Sequence, residues 1–66
     1  MTAPDRKHYV VRLRLEAGHT QEEAARLVHA HRVTWARWED GTRKPDETAL
    51  HLYCLLTGQT YDPPRD

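Results

Sequence analysis

The segment from Gly18 to Pro45 constrains the fold of this 66-residue chain more than any other. Thr20 and Glu23 form the pattern Thr-x-x-Glu, in which each side chain caps the backbone of the other at a helix start. Gly41 closes a second helical stretch, because glycine takes the left-handed backbone at a helix C-terminus most easily. The segment therefore predicts two short helices separated by a tight turn.

Four helices and no strand are expected, because apolar residues recur at helical spacing and no stretch alternates between β-branched and polar residues. The predicted helices run from about residue 5 to 17, 21 to 28, 32 to 40 and 46 to 57. We expect one domain over residues 1–58 and an extended tail over residues 59–66. The fold class predicted is a compact all-α domain of four, at most five, helices.

The turn between the second and third helices is predicted at His29-Ala30-His31. His29 stands where glycine would fit most easily, and histidine tolerates positive φ better than most residues do. His31 is the expected N-cap of the third helix. The two histidines therefore bracket the point where the chain reverses.

The third predicted helix has two unlike faces. At about 100° per residue, Trp35 and Trp38 lie on one side, and core packing explains their spacing better than stacking on bases. The opposite side carries Val33, Ala36, Arg37 and Asp40. Glu39 falls on the tryptophan side, and a carboxylate removed from water needs a cation or several donors. We therefore expect a basic residue from another helix beside Glu39.

The predicted core of the other helices follows from the same spacing. It comprises Val10, Leu13 and Ala17 in the first helix, Ala24, Leu27 and Val28 in the second, and Leu52, Tyr53 and Leu56 in the fourth. Leu50, Cys54 and Leu55 fall partly off the core face of the fourth helix. Exposed apolar surface is typical of interaction sites, so we expect a partner subunit to cover part of this helix.

The charges balance to zero overall but not along the chain. Residues 1–44 hold nine Lys or Arg and six Asp or Glu, whereas residues 45–66 hold one Arg and four acids. The first part therefore carries +3 and the second −3. This asymmetry favours a basic working face with salt-sensitive affinity for a polyanion.

Other classes of function find little support in the composition. The lone Cys54 cannot form an internal disulfide, which favours a cytoplasmic setting. No apolar run is long enough for a membrane span, and no signal-peptide pattern is present. The five histidines lack a metal-binding spacing, and the chain has no serine. We expect no metal, no cofactor and no enzymatic activity.

Several motifs at the correct mutual spacing carry a family resemblance. They are Gly18-His19-Thr20-Gln21, Ala24-Ala25, the run from Thr34 to Gly41, and Arg43-Lys44-Pro45. Together they resemble the phage repressor/Cro-type (Xre-like) helix-turn-helix DNA-binding domain over about residues 9–58. The resemblance implies a lambda-repressor-like fold whose third helix, the recognition helix, enters the major groove of double-stranded DNA.

The resemblance also implies roles for individual residues. Base contacts are implied for Arg32, Val33 and Arg37. Contacts to the DNA backbone, or mixed contacts, are implied for Thr20, Gln21, His31, Thr34, Arg43 and Lys44. Arg14 and Glu39 match a structural Arg–Glu pair that ties the first helix to the third. This pair answers the need of Glu39 for a basic partner.

Three histidines depart from the family pattern. His19 replaces the usual Leu, His29 the usual Gly, and His31 a capping Ser or Thr. The expected protein is a homodimeric repressor that binds a palindromic operator, of the kind that autoregulates a phage or defence operon, including the anti-CRISPR-associated type. The alternative is an antitoxin or other protein-binding module, in which DNA binding is secondary.

Overall fold

The computed structural model describes residues 6–64 and contains four helices, with no strand among those residues. They are α1 (Arg6–Ala17), α2 (Gln21–Leu27), α3 (Arg32–Asp40) and α4 (Glu47–Thr57). The predicted all-α class is confirmed. The predicted start of the first helix at residue 5 lies outside the described residues. No helix in the described part has the length and apolarity needed to cross a bilayer.

Two helix ends differ from the prediction by one residue. Helix α2 ends at Leu27, because Val28, at φ −109° and ψ 16°, is no longer in helical conformation and forms the C-cap. Helix α4, predicted from about residue 46, begins at Glu47 because Asp46 is its N-cap, the role that an aspartate at this place predicts. The Asp46 carboxylate accepts from the backbone N–H of Thr48 at 3.0 Å, which satisfies a donor that the helix leaves without a partner.

The start of α2 is held by the capping box that its sequence predicted. The Glu23 backbone N–H donates to Thr20 Oγ1 at 3.1 Å, and the Thr20 N–H donates to Glu23 Oε1 at 2.8 Å. These bonds pair two backbone donors at the helix start. The α2 N-terminus is therefore fixed beside the loop that leads from α1.

The turn between α2 and α3 depends on His29, which has φ +59°. The His29 N–H donates to the Arg26 carbonyl at 3.2 Å, and the Ala30 N–H donates to the Ala25 carbonyl at 2.9 Å. This bond pair is the Schellman arrangement that ends a helix with one left-handed residue. The predicted positive φ at His29 is thus confirmed, and it reverses the chain into α3.

The core is centred on Trp35, which is fully buried. Its ring centroid lies 5.5 Å from that of Trp38 and 5.1 Å from that of Tyr53 on α4. The other residues of the hydrophobic core are Tyr9, Val10, Leu13, Ala24, Ala25, Val28, Leu50 and Cys54. The predicted burial of both tryptophans is confirmed, and α3 therefore lies on the core by one face only.

The predicted core face of α4 is wrong: the buried face is rotated by part of a helical turn from the predicted one. Leu56, expected inside, is 54% exposed, whereas Leu50 and Cys54 are buried beside Tyr53. Residues 50, 53 and 54 are spaced i, i+3, i+4, and residues 52, 53 and 56 are spaced i, i+1, i+4. Both sets lie on one side of a helix, so periodicity alone does not choose between them. In the folded domain Leu50 and Cys54 pack in the core with Tyr53, which turns Leu55 and Leu56 outward.

The segment after α4 has no regular secondary structure over residues 59–64 and is docked on the domain. Gln59 Nε2 donates to the Leu13 carbonyl at 3.0 Å, and the Asp62 N–H donates to the Tyr9 hydroxyl at 2.8 Å. The Tyr61 ring stacks on His51 with centroids 4.8 Å apart. Residues 59–64 therefore belong to the folded body, across the junction of α1 and α4.

Replacing His29 with glycine is expected to stabilise the protein. A left-handed L-residue costs roughly 1–2 kcal/mol, of which the greater unfolded-state freedom of glycine cancels part. We expect His29→Gly to raise the free energy of unfolding by about 1 kcal/mol, as measured by urea denaturation.

The matched control is Gly58→Ala, since Gly58 has φ +74° and a Cβ there would contact nothing within 4 Å. This change should lower the unfolding free energy by about 1 kcal/mol through backbone strain alone. A His29→Gly protein less stable than the wild type would contradict the strain argument.

Candidate nucleic-acid interface

The outward face of α3 carries Arg32, Val33 and Arg37, all of them exposed. Val33 is 51% exposed although it is apolar and has a buried tryptophan two residues later. Because α3 buries only its indole side, the opposite face is presented to solvent along the length of the helix. Thr34 lies half-buried at the border between these faces.

The other predicted contact residues lie at the ends of the two central helices. Thr20 caps α2 and His31 caps α3, whereas Arg43 and Lys44 follow α3, and all four are exposed. The His31 side chain makes no capping hydrogen bond, so its ring is not committed to the helix. The fold thus brings residues from three segments to the surroundings of one helix.

Glu39 is the acceptor at the centre of this arrangement. Arg14 donates to it twice, from Nε to Oε2 and from Nη2 to Oε1, the second at 3.1 Å. Trp35 Nε1 donates to Oε2 at 2.6 Å. Gln21 Nε2 donates to Oε1 at 3.0 Å. One carboxylate therefore fixes the recognition helix to α1 and to the start of α2.

These donors control the ionisation of Glu39. Burial raises the pKa of its carboxyl, but hydrogen bonds from Arg14, Gln21 and Trp35 and the Arg14 charge outweigh that cost, so its pKa lies below the ordinary value. The Glu39 side chain is only 7% exposed and that of Arg14 17%. The group is a charged, nearly dry cluster in which each donor has its acceptor.

The Gln21 side chain contacts the protein interior as well as the solvent. Its amide nitrogen is engaged by Glu39, and the residue is half-buried. Sequence reasoning predicted a DNA contact for Gln21 and missed this internal bond. A glutamine can accept with its oxygen while it donates with its nitrogen, so the two roles are compatible.

A groove lies where α3 ends, lined by Arg37, Asp40, Thr42 and Arg43. Asp40 Oδ1 accepts from the Thr42 N–H at 2.8 Å and from the Thr42 hydroxyl at 2.6 Å. These bonds, with smaller contributions from Arg37 and Lys7, lower the pKa of Asp40. The groove therefore combines two guanidinium groups with one carboxylate that stays ionised at neutral pH.

His19 occupies the place of the usual family leucine at the edge of the core. Its Nδ1 lies 2.9 Å from the Tyr53 hydroxyl. Burial raises the pKa of Tyr53 to about 12, so the phenol keeps its proton at neutral pH and can donate it to the imidazole. A polar contact thus stands where the resemblance implies an apolar one. Among residues 6–64 no group of three metal-ligating side chains occurs.

Glu39→Gln is expected to destabilise the fold by about 3 kcal/mol, because it leaves the buried Arg14 charge without its counter-ion. The new amide also presents donors to Trp35 and Gln21, which are donors themselves. Thermal and urea unfolding measure the loss.

Glu22→Gln is the control, since the Glu22 side chain is 66% exposed and its ion pair with Arg26 lies on the surface of a single helix, α2. That change should alter stability by no more than about 0.5 kcal/mol. Because the folded pKa of Glu39 is lowered, its contribution is complete above the ordinary pKa of about 4.3 and is lost as pH falls through the folded value. The difference in unfolding free energy between the wild type and Glu39→Gln should therefore become smaller below about pH 4. A difference that does not change with pH would refute the ionic role of Glu39.

Comparison with known proteins agrees with this geometry. The family model of the helix-turn-helix domain matches residues 8–66, nearly the whole chain. Neither curated proteins nor solved structures gave a match. The matched region includes the two central helices, the histidine turn and the docked tail. The predicted resemblance is confirmed, and the chain belongs to the helix-turn-helix family of DNA-binding regulators.

Proposed function

We propose that this protein is a sequence-specific repressor that binds an inverted repeat in double-stranded DNA as a homodimer. The observation that carries the proposal is the one-sided burial of α3, with both tryptophans inside and Arg32, Val33 and Arg37 outside. Each α3 enters one major groove, and the half-sites lie about one turn (~10 bp) or a multiple of it apart. Occupying a promoter then excludes polymerase.

Arg32 and Arg37 are the proposed readers of sequence. An arginine in the major groove donates two hydrogen bonds to O6 and N7 of guanine, which contributes about 1–3 kcal/mol of discrimination. Val33 lies between them in the chain and is half exposed, a suitable apolar contact for a thymine methyl. A polyanionic partner also explains why two arginines and no acid stand in the first six residues of this helix.

The proposed backbone contacts fix the register of the domain on the duplex. Thr20, Gln21, His31, Thr34, Arg43 and Lys44 supply them. The first two stand at the start of α2, where the helix dipole favours an anion. Arg43 and Lys44 bring two full positive charges to the other end of α3. The phosphate chain thus meets donors on both sides of the recognition helix.

The proposed dimer contact is the outward face of α4, which a second copy of the chain covers. Leu55 is 75% and Leu56 54% exposed, and no Asp, Glu, Lys or Arg occurs between Thr48 and Tyr61. In a two-fold interface each residue near the axis meets its own counterpart, so like charges there repel. An uncharged face in a chain that is 30% charged suits self-association.

The dimer is expected to be weak in the absence of DNA. Stable interfaces bury about 800 Å² per partner, which is about one-sixth of the 4722 Å² surface of this domain. Two exposed leucines supply only part of such an area. Binding to adjacent half-sites raises the effective concentration of the second copy and completes the dimer on the operator.

A second candidate rests on the same leucines. If α4 docks on a different protein, the chain is an antitoxin or a bridging module and DNA binding is secondary. Recovery of one stoichiometric partner with the protein from its native cell would favour this alternative. Tight, salt-dependent binding of the isolated chain to a short palindrome favours the repressor.

Selection of bound duplexes from a random pool is the central test of the function. The expected product is an inverted repeat, and measured affinities for it then separate base contacts from backbone contacts.

Arg37→Ala should reduce the binding free energy by about 1–3 kcal/mol and relax the preference at one base pair. Lys44→Ala should weaken all duplexes about equally and reduce the salt slope by about 1.

Arg12→Ala is the control for these variants, because Arg12 lies over the Tyr9 ring on the side of α1 that meets the tail. It should leave the selected sequence and the salt slope unchanged. If Arg37→Ala binds matched and scrambled duplexes with the wild-type ratio, Arg37 does not read sequence.

Leu55→Glu tests the dimer surface, since it places a carboxylate opposite its own copy. We expect sedimentation analysis to find two chains bound per operator for the wild type. At the same protein concentration, it should find one chain bound per operator for Leu55→Glu. Leu15→Glu is the matched control, because Leu15 is 62% exposed on α1. Equal cooperativity of wild type and Leu55→Glu would rule out α4 as the dimer contact.

A further inference from the structure

One histidine lies within the otherwise uncharged outer face of α4. From Thr48 to Tyr61 the chain has no Asp, Glu, Lys or Arg, and the only histidine of that stretch is His51. His51 is exposed and stands one turn before Leu55, which is 75% exposed. Residues four apart are neighbours on one side of a helix. The His51 ring therefore borders the leucine of the proposed dimer contact.

The other titratable groups of this stretch keep their protons at neutral pH. Burial raises the pKa of Tyr53 to about 12 and raises that of the Cys54 thiol above its ordinary value. The Tyr61 hydroxyl donates its proton to Glu47 Oε1 at 3.2 Å. A histidine side chain, in contrast, ordinarily changes its charge between about pH 5 and 8. In that range His51 is therefore the group that can charge this face.

The docked tail holds the His51 ring at the edge of the leucine face. The ring stacks on Tyr61 with centroids 4.8 Å apart and planes 14° from parallel. Charged and titratable groups around this stack include Glu47 on α4, Tyr61 and Asp62 on the tail, and Tyr9 and Arg12 on α1. Glu47 is two turns from Leu55 and already accepts from Tyr61. On the Leu55 side of His51, α4 therefore offers a new positive charge no carboxylate.

We propose that protonation of His51 weakens the dimer contact, so that the pairing of two chains on the operator is lost as the solution becomes acidic. The inference rests on the proposed dimer and adds a regulation to it. A second copy that covers Leu55 also removes the neighbouring ring from water, where an unpaired charge is strongly unfavourable. In a two-fold contact both copies carry this charge. Proton binding therefore favours the separate chains over the dimer.

Cooperativity measures this effect and total affinity does not, because His31 and other histidines beside the duplex also gain charge in acid. The wild-type affinities for a single half-site and for the selected operator are compared at about pH 7.5 and 5.5, at constant ionic strength. Their ratio gives the contribution of the second copy. That contribution should fall roughly tenfold or more at the lower pH, since like charges brought together at an interface repel.

The fold is expected to persist over this pH range. Hydrogen bonds from Arg14, Gln21 and Trp35 outweigh the burial of Glu39 and lower its pKa. The cluster that fixes α3 therefore stays charged at both pH values. Binding of the half-site at the lower pH checks this directly, because an unfolded chain would not bind it.

Three variants identify the titrating group. His51→Gln cannot be protonated, so its cooperativity should be the same at both pH values. His51→Arg is charged throughout, so it should show the weak cooperativity of the acidic wild type already at the higher pH. His8→Gln is the matched control, because His8 is exposed on α1. It should keep the pH dependence of the wild type.

The outcomes separate this inference from the proposals beneath it. Wild-type cooperativity that does not change with pH, with one Leu55→Glu chain still bound per operator, would overturn the switch and leave the dimer contact standing. A pH dependence that persists unchanged in His51→Gln would also overturn it. Wild-type cooperativity in Leu55→Glu would remove both the dimer contact and the switch, but not the binding of a half-site. A wild-type chain that binds neither duplex would contradict the proposed function itself.

Discussion

The Glu39 carboxylate is the constraint on which the orientation of the recognition helix depends. It accepts hydrogen bonds from Arg14 on α1, Gln21 on α2 and Trp35 on its own helix. A small domain has little apolar surface with which to fix three helices. An ionic cluster that is nearly dry adds direction to that packing, because its hydrogen bonds are satisfied in one arrangement only. The outward face of α3 is therefore preorganised before any ligand arrives.

The histidines show how a short helix-turn-helix tolerates departures from its usual residues. His29 adopts the left-handed backbone that glycine takes elsewhere, at the cost of some strain. His19 replaces an apolar contact with a hydrogen bond to Tyr53. In both places the neighbouring structure compensates: the hydrogen bond from the Ala30 N–H to the Ala25 carbonyl stabilises the turn, and the Tyr53 hydroxyl lies 2.9 Å from His19 Nδ1. Local mismatch is thus compatible with the common fold.

The proposed DNA-contact surface depends on local charge and not on the net charge of the chain. The total is zero, yet Arg37 and Arg43 line one groove with a single carboxylate, that of Asp40, at the end of α3, whereas the outer face of α4 after Glu47 has no Asp, Glu, Lys or Arg. The first surface suits a polyanion, and the second suits a copy of itself. One small domain therefore places the two contacts of the proposed dimeric repressor on different helices.

Sequence alone determined the four helices, the capping box at Thr20, the positive φ of His29 and the burial of both tryptophans, because these follow from spacing and backbone preference along a few residues. It also pointed to a basic partner for Glu39. The tertiary structure decided the rest. Leu50 is buried and Leu56 is exposed, a choice that helical periodicity leaves open and that the packing of Leu50 and Cys54 into the core decides. Likewise Lys7 meets Gly41 across 34 residues, and no local pattern encodes a contact that exists only after α1 and α3 have packed.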